Sequence, residues 1–255
     1  MKLTIQRAVV VSAILFSALL ALPGAAWGQT AAPAAPSAAK ASASPKEATG
    51  YYLTGAEKPF ATFPPAPRLN SESDHTDLLI TLAAQGSRNS DQIQEAWADR
   101  SFSESQKALD HLVDPAFETT YPETSAVAAL VKRGCGDGAL ILHALKKRFQ
   151  RPRPFVQHPG LVVPLFPVAD FSYPSGHSAG AELRALLLSE LFPDRAAALL
   201  EKAHIIADSR VVAGVHYESD IEAGLNLGDL VFAELKKNPK FRQDLAVAKA
   251  QVAGK

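Results

Sequence analysis

Three stretches in the second half of the chain decide the fold: SGHSAGAELRALLLSEL (residues 175–191), PDRAAALLEKAHIIADSRVVAG (193–214) and SDIEAGLNLGDLVFAELKK (219–237). They read as consecutive helices, and nothing in them or elsewhere beyond Asn70 alternates with period two for long enough to make a sheet. Working outward, Thr124 to about Phe149 predicts a long helix whose Val127, Leu130, Val131, Ala139, Leu142 and Leu145 recur at helical spacing. Gly134, Gly136 and Gly138 weaken its middle. Further upstream, Ser73 to Gln85 sets Leu78, Leu79 and Leu82 together and stops at Gly86, and Ser90 to Arg100 begins on a good cap with Ile93, Ala96 and Trp97 on one face. Lys240 to Ala250 supplies a last helix. The expected class is all-α, a single-domain bundle of roughly seven or eight helices without internal repeats.

The N-terminal fifth follows other rules. Lys2 and Arg7 precede an apolar run from Ala8 to Leu22, and Ala26-Trp27-Gly28 offers small residues at the two positions a signal peptidase reads, so residues 1–28 are expected to be a signal peptide cleaved after Gly28. The run is short for a span of about 20 residues. Residues 29–50 are mostly Ala, Pro and Ser, a composition that cannot bury enough surface to order itself, and read as a linker. The domain is then 51–255, opening with a Pro-rich aromatic arm, Phe60 to Pro67, expected to lie extended. With no later apolar segment of spanning length, the mature chain is expected in a periplasm or outside the cell, with no membrane association after cleavage.

Composition narrows the function. The 255 residues include 26 basic and 26 acidic side chains, a formal net charge of zero, so the electrostatic footprint of nucleic-acid binding is missing. A single cysteine, Cys135, excludes an intrachain disulfide framework and zinc sites built on several thiolates.

Chemistry concentrates in three clusters: Lys146-x6-Arg153-Pro154, Pro174-Ser175-Gly176-His177, and Ser209-Arg210-x5-His216-x3-Asp220. Phosphoryl transfer spreads negative charge over three equatorial oxygens, which Lys146, Arg153 and Arg210 can meet, the arginines with a planar fork. Ser175 and Gly176 start a helix, where unpaired N–H groups and the helix dipole favour an anion. His216, oriented by Asp220 one helical turn on, suits the nucleophile, and His177 suits the proton donor to the leaving oxygen. No metal or cofactor is called for, and the ligand expected is a small phosphate monoester.

The three clusters in this order resemble the signature of the type 2 phosphatidic acid phosphatase superfamily, and within it the chain is similar to the secreted bacterial class A non-specific acid phosphatases. That resemblance implies the helical fold of the acid phosphatases and vanadium haloperoxidases, a covalent phosphohistidine at His216, protonation of the leaving group by His177, and oxyanion contacts from Lys146, Arg153, Ser175, Gly176 and Arg210. Lys147 and Arg151 are alternatives for Lys146 and Arg153, and Glu218 adds a charge near the site.

Two rivals use the same residues. Vanadium-dependent haloperoxidases present this constellation to vanadate, although a short secreted chain favours the phosphatase. Gly176-His177-Ser178-Ala179-Gly180 satisfies the G-x-S-x-G pattern of serine esterases with Ser178 as nucleophile, but that motif belongs between a strand and a helix. His75, His111, His143, His158 and His204 read as ordinary surface or core residues, and the Gly134–Gly138 stretch as close helix packing around a Cys135 too apolar in setting to be reactive. The physiological ester stays open, and so does oligomeric state, a homo-oligomer being compatible with the sequence.

Overall fold

Polar caps set where the long helices begin. Ser71 accepts from the Asp74 N–H at 3.2 Å, Asn89 and Gln92 cap each other reciprocally at 2.9 Å, and Ser125 accepts from the Ala128 N–H at 3.0 Å. Asn238 does the same for two N–H groups, with Pro239 at the first helical position. The computed structural model describes residues 50–254. The expected signal peptide and nearly all of the expected linker lie outside them.

The described helices are α1 (Lys58–Ala61), α2 (Glu72–Ser87), α3 (Ser90–Ala98), α4 (Phe102–Val113), α5 (Phe117–Thr120), α6 (Ala126–Phe149), α7 (Pro154–Gln157), α8 (Gly176–Leu191), α9 (Ala196–Val212), α10 (Glu218–Lys237) and α11 (Pro239–Ala253), with a 3₁₀ turn at Pro193–Arg195. Among the described residues there is no strand, and no helix long and apolar enough to cross a membrane. The fold is all-helical and forms one domain.

Helix α8 is the axis of the bundle. Leu183, Leu187, Leu188 and Leu191 are buried on it, and α6, α9, α10 and α4 pack around it. Two glycines of α6 allow a close approach to α8: a Cβ at Gly138 would sit 2.5 Å from Leu183 Cδ2, and one at Gly134 3.0 Å from Leu187 Cδ1. This is the close helix packing expected of that stretch. Its Asp137 does something more, accepting from the N–H groups of Tyr51, Tyr52 and Leu53 at 2.6–2.9 Å and so pinning the N-terminal arm to α6. Cys135 is partly buried, and burial pushes its thiol pKa up.

Three expectations need correction. Helix α4 was not foreseen, because its buried face is Ser105, Gln106, Leu109 and Asp110, with a single apolar residue to mark it. The arm is not wholly extended: Pro59 occupies the first turn of α1, where its missing N–H costs nothing, and Phe60 is buried from that turn. Helix α2 lies where expected, but polar residues lead its buried face, with Leu78 and Leu82 only partly buried beside them. Leu79 is 66% exposed, whereas Asp74, Asp77 and Thr81 are buried.

Candidate functional site

His216 sits in the turn between α9 and α10, 2% exposed. Asp220, in the first turn of α10, closes the N-terminus of its own helix by accepting from the Tyr217 N–H at 2.9 Å. The same oxygen, Oδ2, lies 3.3 Å from His216 Nδ1 and accepts from the Ser172 hydroxyl at 2.5 Å. These partners place the ring proton on Nδ1 and leave a lone pair on Nε2. Arg153 Nη1 donates to Nε2 at 2.7 Å and to the Val215 carbonyl at the same distance.

Three cations gather in front of that nitrogen. Lys146 ends the buried face of α6 and forms an ion pair with Asp170 at 3.1 Å, while donating to the Phe171 carbonyl. Lys147, one residue on, is exposed. Arg153 caps α7 and bonds Asp170 through both its backbone carbonyl, at 2.9 Å, and its carboxylate. Arg210, 1% exposed, is held by the Ala96 carbonyl at 3.0 Å and by Ser209 Oγ. Burial pushes the Lys146 ammonium down to about 8 and the Arg210 guanidinium down to about 10, with Arg153 adding to both effects. Burial followed by Arg153, Lys146, His177 and Arg210 holds the His216 imidazole well below its ordinary range.

The start of α8 completes the site. Ser175 caps the helix, and its own N–H donates to the Asp220 carbonyl at 2.9 Å, tying α8 to α10. A Cβ at Gly176 would lie 3.9 Å from Lys146 Cε, which shows how near the lysine comes to the helix start. A Cβ on Gly224 of α10 would strike the Ser175 carbonyl at 2.6 Å, so only glycine permits this crossing. His177, one residue into α8, packs edge-on against Phe102, with ring centroids 5.6 Å apart. Its Nε2 is buried and makes no hydrogen bond. Burial, then Arg210 and Arg153, push its pKa down to about 3.

The alternative residues are placed elsewhere. Arg151 is turned away from the cations and donates to Asp220 Oδ1 at 2.7 Å, to Asp77 at 2.8 Å and to Asp74 at 3.3 Å, with its guanidinium 4.1 Å over the Tyr217 ring. It serves Asp220 instead of standing in for Arg153. Ser178 lies fully buried inside α8 and donates to Ser175 Oγ at 2.8 Å, with no strand before it. Glu218 opens α10. Sequence reasoning overlooked Asp74, Asp77, Asp170 and Ser172. The one signal available was the i, i+3 spacing of Asp74 and Asp77, which a leucine pattern on the same helix obscured. Among the described residues there is no group of three His, Cys, Asp or Glu side chains that could hold a metal.

Residues 127–243 match the family model of the PAP2 superfamily. A non-specific acid phosphatase of Salmonella typhi is 35% identical over 147 residues, 52% of this chain and 54% of that protein, so the chain spans about half the length of that relative. A second, from Providencia stuartii, is 28% identical over 213 residues, 80% of this chain and 85% of its own. In fold, the chain is similar to a bacterial vanadium-dependent iodoperoxidase, with a TM-score of 0.58 over 70% of this chain and 53% of that one, at 19% identity. The chain is thus similar over residues 127–243 to the PAP2 superfamily and in sequence to non-specific acid phosphatases, and it shares its helical fold with the iodoperoxidase.

Proposed function

We propose that this chain is a secreted or periplasmic acid phosphatase that hydrolyses water-soluble phosphate monoesters, without a metal, through a covalent phosphohistidine on His216. The observation that carries the reading is the 2.7 Å contact of Arg153 Nη1 with His216 Nε2. It marks Nε2 as the unprotonated ring nitrogen and holds it among the buried cations; Arg153 must shift from it onto the phosphoryl oxygens before its lone pair attacks phosphorus.

In the first step His216 Nε2 attacks phosphorus, the ester P–O bond breaks, and His177 gives a proton to the departing alkoxide. The positive charge that develops on His216 is met by Asp220 at Nδ1. In the second step water attacks phosphorus, the N–P bond breaks, inorganic phosphate leaves and His177 takes the proton from the water. Lys146, Arg153, Arg210 and the N–H groups at the start of α8 stabilise the equatorial oxygens of both transition states. With its pKa near 3 in the free site, His177 is neutral at working pH, so its proton arrives with the substrate monoanion. Monoesters lose that proton near pH ~6, and kcat/KM is expected to decline above it.

The test is a phosphate-ester panel with rapid-quench trapping of an acid-labile, base-stable phosphoenzyme. His216→Ala should lose at least about a thousandfold in phosphate release and form no phosphoenzyme; Ser178→Ala should keep most activity. Exhaustive EDTA dialysis should leave the wild-type rate intact. Carboxylester cleavage lost in Ser178→Ala, or activity restored to dialysed enzyme by a divalent ion, would overturn the reading.

A further inference from the structure

Asp170 belongs to none of the sequence motifs, yet it touches two of the three cations. Its carboxylate pairs with Lys146 at 3.1 Å and with Arg153. Its backbone carbonyl accepts from Arg153 Nε at 2.9 Å, and the next carbonyl, of Phe171, accepts from Lys146. The cations are buried, at 6% and 5% side-chain exposure, but the Asp170 side chain is 52% exposed. A carboxylate and a phosphoryl group are both anionic acceptors that a guanidinium fork and an ammonium bind in the same manner. Lys146 and Arg153 cannot give the same donors to both at once, and like charges a few ångströms apart repel.

We infer that Asp170 is a resident anion that caps the phosphate site, and that a phosphoryl group binds by exchanging with its carboxylate. This rests on the proposed phosphate chemistry for the location of the site, and concerns anion binding alone. The half-exposed side chain is free to turn toward solvent when displaced, while the backbone carbonyls of residues 170 and 171 hold the two cations in place. In the free protein the cap offsets the mutual repulsion of Lys146 and Arg153. On binding, every incoming phosphate must outcompete it, so the cap weakens apparent affinity.

The experiment is calorimetric titration of inorganic phosphate into the full purified chain and its Asp170→Asn and Asp170→Ala variants, with hydrolysis of p-nitrophenyl phosphate measured in parallel. The variants should bind inorganic phosphate on the order of tenfold more tightly, and their melting temperatures should fall without phosphate and recover with it. Damage to the site weakens anion binding, so tightening is a result that a structural defect does not produce. Asp170→Ala keeps the test open should the Asn variant misfold. Equal or weaker phosphate affinity in the variants overturns the cap. If the wild type hydrolyses no monoester while the variants still bind phosphate more tightly, the proposed function falls and the cap stands. Hydrolysis in the wild type with unchanged phosphate affinity in the variants removes the cap and leaves the function.

Discussion

Two ion-pair clusters flank His216, and their charge balances are opposite. Behind it, one cation, Arg151, faces three carboxylates, Asp74, Asp77 and Asp220, all buried. In front, two buried cations, Lys146 and Arg153, share one half-exposed carboxylate, Asp170. Every carboxylate of the rear cluster is locked by several donors: Asp220 alone accepts from Arg151, Ser172 and the Tyr217 N–H, and also faces the His216 ring. The front cluster lacks negative charge and the rear one lacks positive charge. A buried charge is tolerated only when it is paired, so the front is built to receive an anion and the rear to hold a carboxylate against an imidazole.

The strongest way to break this contrast is at its rear cation. Arg151→Met leaves three buried carboxylates without their shared partner and should cost about 3–5 kcal/mol of stability, read as a fall in denaturation midpoint with an unchanged m-value. If the variant is as stable as wild type, the rear cluster does not depend on Arg151. At the front, Arg153→Ala should retain most stability but lose about 10²–10³-fold in kcat/KM, as removal of a transition-state donor does. Arg153→Lys should rescue little, because an ammonium cannot replace the fork that reaches Asp170 and His216 together. Full rescue by lysine would mean that charge alone matters there.

His177 sharpens the contrast by separating chemistry from binding. His177→Ala should lose about 10²-fold or more on an alkyl phosphate but under about tenfold on p-nitrophenyl phosphate, whose leaving group needs no proton. Equal losses on both would argue that the ring only fills space beside Phe102. The smallest effect is on stability. Burial and the front cations push His177 from 6.5 down to about 3, so the unfolded chain binds its proton first as pH falls. That stabilisation is complete above about pH 6.5 and is lost progressively toward pH 3. Glu182 acts oppositely, its carboxyl pushed up to about 7 by burial and Asp229. The clean measurement is therefore a difference: between pH 6.5 and 4, wild type should lose a few degrees of melting temperature relative to His177→Gln. A constant gap across that range would contradict a buried neutral His177.

Legibility differed within the same two regions. The front cations, with His216, His177 and Asp220, were readable because they stand in short motifs at helix starts and turns, where spacing along the chain predicts neighbours in space. Asp170 in front and Asp74 and Asp77 behind were not. Asp74 and Asp77 lie more than 70 positions before Arg151, and α2 carries leucines that periodicity assigns inward. Spacing favours Arg153 and leaves Arg151 open as its substitute, since the two share the Arg-Pro dipeptide and differ only in the side to which the chain turns them.

The sequence by itself determined the helical class, seven of the eight longer helices, and the pairing of His216 with Asp220 one turn on. Those follow from local rules: caps, period and i, i+4 reach all operate within one or two turns. Only the tertiary structure decided which face of α2 is buried, that Arg151 serves Asp220, and that Asp170 lies across Lys146 and Arg153. Each of these depends on where a charge finds its partner. A buried guanidinium that attracts two carboxylates outweighs the exposure of Leu79 and Ile80, because an unpaired buried charge costs several kcal/mol and one exposed leucine about 1.5–3.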